Sequence, residues 1–301
     1  MAQSLGESRG TSEQKPERRG FGATGVGKPG SGNFSSSLSG KIFRNRMTAF
    51  DDLAADYDQD FTDTGLGRAL RNRVWQQLDT WIQPGQHLLD LGCGSGEDAC
   101  HLAKAGVQVT SIDASEGMVQ AARRKNAGFG EQVQVHHLAF EALVGTEHVL
   151  GPFDGAISNF GALNCARSLP DVFRAIATRL QPGGFFLACL MGPVVPWEWL
   201  WMIRRGQFRQ SFRRMRRGGV DWRGLHVEYP SIGRIKKICP PELKFLRVRA
   251  VGAFLPPTYF EAWTRRHPKL LKFLERAENR LGSVPPFPQI ADHYLVEFQR
   301  V

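Results

Sequence analysis

Five short apolar runs alternate with stretches of helical periodicity through the middle of this chain, and that alternation narrows the available folds more than any other feature. The runs are HLLDL (87–91), VQVTSID (107–113), VQVHHL (133–138), DGAISNF (154–160) and FFLACLM (185–191). Between most of them, 98–105, 116–127 and 169–180 carry apolar residues three and four apart. Strands alternating with helices predict an α/β fold, a parallel sheet covered on both faces and built from right-handed crossovers. After Met191 the alternation stops. Residues 192–242 are aromatic, basic and proline-punctuated, before LKFLRVRAVG (243–252) resumes a strand-like pattern. A helical stretch over 258–281 and HYLVEFQRV (293–301), a closing strand, complete seven strands with insertions after the fifth and the sixth. Ahead of the first strand, Phe50, Leu53, Ala54, Tyr57 and Phe61, then Leu66, Leu70, Val74 and Leu78, predict two amphipathic helices broken near 62–65.

Charge and cysteine usage bound the rest. The formal charge is +10 over 301 residues, but eight Lys/Arg against three Glu fall within residues 1–46, a Gly/Ser-rich tail too poor in apolar residues to fold. A second basic block comprises Arg204, Arg205, Arg209, Arg213, Arg214, Arg216 and Arg217. No apolar run approaches the ~18 residues of a membrane span, and no apolar segment of a signal peptide follows Met1, so a cytoplasmic location is expected. The five cysteines form no C-x-x-C pair, so reduced thiols are expected and no metal site. His136 and His137 are adjacent on a strand, point to opposite faces and cannot pair on a metal.

The chemistry concentrates in LLDLGCGSG (88–96), a strand ending on Asp90, then glycines at 92, 94 and 96 and a helix. Glycines there give a tight turn and let a ligand approach the backbone at the carboxyl edge of the sheet. A dinucleotide fingerprint would place its third glycine at 97, where this chain has Glu97, a poor neighbour for a pyrophosphate at a helix N-terminus. The second strand ends in Asp113, where an acidic side chain accepts hydrogen bonds from ribose hydroxyls. Together these describe a pocket for an unphosphorylated nucleoside.

In LLDLGCGSG, SIDASEGMVQAAR (111–123), FDGAISNFGALN (153–164) and LQPGGFFLACL (180–190), the chain resembles the class I, Rossmann-like S-adenosylmethionine-dependent methyltransferases, close in style to the ubiquinone and menaquinone biosynthesis group. The resemblance implies an antiparallel last strand, a helical lid over 47–82, a cofactor-binding core over 83–191, an aromatic and basic insertion over 192–242, and C-terminal strands with an inserted helix over 243–301. It implies S-adenosylmethionine as cofactor. Asp90 and the backbone of Gly92, Cys93 and Gly94 would face its methionine part, with Gly96 completing the loop. Asp113 would take the ribose, Ala114 and Met118 the adenine face, Asn159 and Phe160 the side near the sulfonium, and Tyr57 would belong to the closing lid. Where relatives carry G-D-A-E-x-L after the third strand, this chain reads LAFEAL (138–143), with Ala139 in place of Asp. Adenine recognition then falls to backbone groups or Glu141, with Phe140 beside it in the cofactor set.

Methyl transfer from sulfur is an in-line displacement that mainly needs alignment and exclusion of water, with a base only if the acceptor must lose a proton. His226, Tyr229 and His137 are the candidates for such a base. The sequence SNFG (158–161) stands where exocyclic-amine enzymes carry N-P-P-Y or D-P-P-Y, and neither Cys165 nor Cys189 has the preceding proline of a pyrimidine C5 nucleophile. A small acceptor is therefore expected, lipophilic and quinone-like or a natural-product phenol. The alternatives are an RNA or protein methyltransferase docking through its basic insertion, and a non-catalytic cofactor-binding regulator. Segment 197–217 reads as a solvated lid, a membrane-surface helix or a nucleic-acid patch.

Overall fold

The computed structural model describes residues 50–144, 151–216 and 218–301; the basic tail expected over 1–46 lies outside them. The central strand β1 (His87–Leu91) is buried along nearly its whole length, as a parallel strand covered on both faces must be. Leu88 faces one core layer, while Leu89 and Leu91 face the other. Helix α1 (Gly65–Leu78) precedes it, capped by Thr64, whose hydroxyl accepts from Gly67 N–H at 2.9 Å. The succession α2 (Glu97–Lys104), β2 (Gln108–Asp113), α3 (Glu116–Asn126), β3 (Val133–His137), β4 (Phe153–Ser158), α4 (Leu169–Arg179) and β5 (Leu180–Met191) follows the expected alternation. Helices α1, α2 and α3 cover one face through Val74, Leu78, Leu102 and Val119. Helix α4 covers the other through Val172, Phe173 and Ile176.

Beyond β5 come α5 (Pro196–Arg204), a two-stranded hairpin of β6 (Val220–Trp222) and β7 (Leu225–Val227), α6 (Ile232–Ile238) and β8 (Leu243–Val251). Helices α7 (Glu261–Arg266) and α8 (Pro268–Leu281) then lead to β9 (His293–Arg300). The main sheet runs β3-β2-β1-β4-β5-β9-β8. Only β9 is antiparallel to its neighbours, pairing with β5 on one side and β8 on the other. This is the seven-stranded, mostly parallel Rossmann-like sheet expected, with the antiparallel strand last in sequence. The order reverses between β1 and β4, which opens a crevice at their carboxyl ends where such sheets take ligands.

Three elements depart from expectation. The first lid helix is instead a run of turns closing in a wide π-turn at Asp58–Thr62, with Asp63 N–H donating to Asp58 O at 2.7 Å. Its acidic side chains reach across to the glycine loop and to α3, contacts that a straight helix starting at Phe50 would not align. The stretch over 258–281 breaks at His267 (φ −128°, ψ 57°), because the residue before Pro268 is disfavoured in the helical region. Within 192–242, α6 packs Ile232, Ile235 and Ile238 onto the main core and acts as the crossover to β8. Seven residues are too short for its periodicity to stand out in the sequence.

The segment after β8 is held by one carboxylate. Glu278 of α8, 1% exposed, accepts from Gly252 N–H at 2.9 Å, Ala253 N–H at 3.3 Å and Phe254 N–H at 2.7 Å. Glu278→Ala would leave three buried donors without partners. We expect it to cost ~2–4 kcal/mol, read by calorimetry as a Tm several degrees lower with the far-ultraviolet spectrum unchanged.

Candidate active site

The crevice is built from the end of β1 outward. Asp90 is 1% exposed; one oxygen accepts from the Ser111 hydroxyl at 3.4 Å, and the other, Oδ1, has no partner among the described residues. Burial, reinforced by the negative charge of Asp98, pushes its carboxyl well above the usual carboxylate range. The chain then turns through Gly92, at φ 69°. A Cβ there would lie 2.4 Å from that of Ala162, so only glycine fits. At Gly94, φ 53°, a Cβ would meet nothing within 4 Å, so this backbone faces open space. The loop's donors are turned inward. Gly92 and Cys93 N–H both donate to Ile112 O (2.8 and 3.1 Å), and Gly96 N–H donates to Cys93 O at 3.0 Å. Gly94 N–H donates to Asp113 Oδ2 at 2.9 Å.

Asp113 thus joins the glycine loop to the next one, since its Oδ1 accepts from Ser115 N–H at 2.9 Å. Burial raises its carboxyl, opposed by those backbone hydrogen bonds. A carboxylate has about four lone-pair sites, so it can still accept from a ligand diol. Beside it, the N-terminus of α3 is clamped by the lid. Asp51 Oδ1 accepts from Gly117 N–H at 2.9 Å and from the Ser115 hydroxyl. Asp58 accepts from the Ser95 hydroxyl at 2.6 Å and pairs with Lys125 at 2.8 Å.

Across the crevice a buried ion pair links lid, loop and sheet. Arg71 of α1 meets Asp98 of α2 at 2.8 Å, and Asp98 also accepts from Trp75 Nε1 at 2.7 Å and Asn159 Nδ2 at 3.1 Å. Phe160 follows at φ 45°, unfavourable for a side chain with a Cβ, its N–H donating to Asn159 Oδ1 at 2.9 Å. Its ring packs against Phe61 (4.8 Å) and beneath the Arg71 guanidinium (4.8 Å). Such strain persists only where the surroundings hold it, and it recurs at ligand sites.

Between these groups lies a narrow cavity of about 20 Å³ lined by Tyr57, Arg71, Gly92, Cys93, Gly94, Ser95, Asp98, Asn159 and Phe160. Six expected site residues, Tyr57, Gly92, Cys93, Gly94, Asn159 and Phe160, thus come together, with Asp90 beneath and Asp113 hydrogen-bonded to the loop. Burial raises the Tyr57 phenol, with Arg71 opposing. Met118 is 2% exposed at the start of α3, next to Ala114 and Ser115. Phe140 lies under Gly92, its Cζ 3.1 Å from where a Cβ would sit. Glu141 accepts from Arg167 N–H at 3.1 Å, a contact on the side of α4. A larger open cavity of about 420 Å³, lined by Gly85, Gly106, Gln108, Glu131, Gln132 and Gln134, sits at the opposite edge of the sheet, away from the glycine loop.

The three candidate bases scatter. His137 bonds to Ala114 O at 3.0 Å and Glu116 at 2.9 Å, beside the start of α3. His226 is an exposed hairpin residue 3.1 Å from Asp221. Tyr229 lies under the Arg214 guanidinium (5.3 Å) and packs against the cluster of Leu225 and Val227. The imidazole at the crevice is one that periodicity could not flag, His293 at the start of β9. It is 8% exposed, edge-on to Phe160 at 5.5 Å, with Nδ1 3.0 Å from Asp292. Asp292 pairs in turn with Arg214 at 2.8 Å; burial raises its carboxyl, but Arg214 and His293 outweigh that and hold it far below the usual range. Arg71 and Asp98 escaped the sequence reading for the same reason: they lie 27 residues apart and meet only in the fold.

Residues 88–184 match a family model described as a methyltransferase domain. Residues 88–184 are thus similar to methyltransferase domains. Among relatives, a demethylmenaquinone methyltransferase of Clavibacter sepedonicus is 30% identical over 164 residues, 52% of this chain and 60% of that protein. An uncharacterized 37.1 kDa protein in transposon TN4556 of Streptomyces fradiae is 28% identical over 229 residues, 73% of this chain and 54% of that protein. The chain therefore spans less than two thirds of the length of these relatives. The crystal structure of the Burkholderia thailandensis 1,6-didemethyltoxoflavin-N1-methyltransferase, with bound 1,6-didemethyltoxoflavin and S-adenosylhomocysteine, superposes with a TM-score of 0.50. It covers 90% of this chain and 93% of that one at 16% identity, a likeness of fold.

The Asp58 clamp is expected to respond to pH. Burial opposes ionisation of Asp58, but hydrogen bonds from Lys125 and Ser95 outweigh it and hold its carboxyl below the ordinary value. A carboxyl with a lowered folded pKa stabilises above its unfolded pKa, and the contribution fades as pH falls through the folded one. We expect amide exchange across 50–64 to be slow at neutral pH and to quicken, beyond the intrinsic trend, as pH drops below about 4. Asp58→Asn should show the quickened exchange already at neutral pH.

Proposed function

We propose that this chain transfers a methyl group from S-adenosylmethionine to a small-molecule acceptor. The observation that carries the reading is the glycine loop. Its N–H groups at 92, 93, 94 and 96 are spent on Ile112, Asp113 and Cys93 and are not turned toward a pyrophosphate, while carboxylates stand at the ends of β1 and β2. A cationic, unphosphorylated nucleoside matches that polarity. The orphaned Oδ1 of Asp90 fits an ammonium group, Asp113 a ribose diol, the open Gly94 backbone a closely approaching ligand, and Arg71 a carboxylate. The cavity is far smaller than such a ligand, so entry requires the 50–64 lid to move, with Tyr57, Asp51 and Asp58 reclosing over it.

When bound, S-adenosylmethionine supplies an electrophilic methyl group on sulfur. The chain's task is to hold the acceptor in line and keep water out. Phe61, Phe160 and Tyr57 give that side aromatic walls. Where the acceptor must lose a proton, His293 is placed to take it at Nε2. Nδ1 lies 3.0 Å from Asp292, which leaves Nε2 for the acceptor.

A small acceptor, lipophilic and quinone-like or phenolic, is favoured over RNA or protein because the basic insertion is partly consumed within the fold. Arg213 and Arg214 both pair with the buried Glu198 (2.8 and 2.6 Å), and Arg214 also with Asp292. Cysteine nucleophilic chemistry of the pyrimidine C5 type finds no support at Cys189, whose thiol burial pushes up to about 12. Asp113→Ala removes the diol acceptor and no core volume. We expect it to weaken S-adenosylhomocysteine binding by roughly tenfold or more in calorimetric titration, and to lower Tm by a few degrees because Gly94 N–H and Ser115 N–H lose their acceptor. Unaltered affinity would overturn the ribose assignment.

A further inference from the structure

The two insertions meet in a surface that the methyl-transfer reading does not use. Phe260 touches Trp201 of α5 at 4.8 Å and Trp263 of α7 at 6.4 Å, and Arg205 lies over Trp201 at 4.2 Å. Segments 196–216 and 258–281 are thereby packed together. Each turns an apolar and cationic face outward. On α5 the inward side is Glu198 and Met202; Leu200 (53% exposed), Ile203 and Arg204 lie opposite, with Phe212 and Met215 (52%) exposed just beyond. On α8 the inward side is Leu271, Leu274 and Glu278. Phe273, 63% exposed, stands on the outward side at helical spacing from Lys269, Arg276 and Arg280.

From this interleaving of exposed hydrocarbon and fixed positive charge, we infer that α5 and α7–α8 dock the protein onto an anionic lipid surface. Hydrocarbon side chains ringed by arginine and lysine match the boundary between acyl chains and acidic headgroups. Leu200, Ile203, Leu270 and Met215 offer nothing to a phosphate backbone, and a nucleic-acid platform would present stacked aromatics instead. Here Trp201 and Phe260 are spent on packing the two segments together, and the exposed aromatics Phe212, Trp263 and Phe273 stand among exposed aliphatic side chains. No helix among the described residues is long and apolar enough to cross a membrane, so attachment through these helices is peripheral.

The test is sedimentation of the full chain with phosphatidylcholine vesicles, with and without phosphatidylglycerol, over a salt series. Binding at least about tenfold stronger to the anionic vesicles, declining with salt, is expected. Leu200→Glu and Phe273→Glu, both at exposed positions, should each abolish sedimentation while keeping Tm and S-adenosylhomocysteine affinity. Those two controls separate failure here from failure of the cofactor reading. Equal behaviour with both vesicle types, no binding to either, or undiminished binding by both variants would overturn the inference. So would retention on single-stranded RNA in place of vesicles.

Discussion

The buried pair between Arg71 and Asp98 holds the site together. Burying two charges is costly unless the remaining donors and acceptors are met; Asp98 is met by also accepting from Trp75 and Asn159, while Arg71 Nε has no partner among the described residues. One carboxylate thereby positions the helix behind the lid, the helix after the glycine loop and the end of β4. Phe160 is stacked under Arg71 in a backbone conformation it would not adopt alone. Movement of any of the three elements would disturb the other two, which suits a crevice that must close on its ligand in one geometry.

A second constraint sets the chemistry of that ligand. A glycine-rich turn can aim its N–H groups outward, as an anion cradle, or inward, and here Ile112, Cys93 and Asp113 take them. Acidic residues then line the approach: Asp90 and Asp113 at the strand ends, Glu97 and Asp98 in the first turn of α2. The inward-turned N–H groups are thereby withheld from a phosphate, unlike the outward-turned backbone of a dinucleotide loop.

Much of this was legible in the sequence because it is local. The seven strands and the core helices follow from periodicity, and the cluster from Asp90 through Asp113 to Phe160 was expected from the resemblance carried by short motifs. The parts that were not legible are those that depend on distant residues meeting. The lid reads as a helix from Phe50, Leu53, Ala54, Tyr57 and Phe61, yet Asp51 and Asp58 bond to Ser115 and Ser95 and bend it into turns. Arg71 and His293 acquire their roles only through Asp98, Phe160 and Asp292, far away along the chain. The arginines of 204–217 read as one basic block, but Arg213 and Arg214 turn inward to Glu198 while Arg204 and Arg205 stay exposed.

A crystal structure of the full chain with S-adenosylhomocysteine tests the central claim most directly. The account predicts density in the crevice between β1 and β4, with the amino group against the unpartnered oxygen of Asp90, the ribose hydroxyls on Asp113 and the sulfur beside Phe160. Clear density at the opposite edge of the sheet, or a ligand in the crevice with Asp90 and Asp113 untouched, would contradict it.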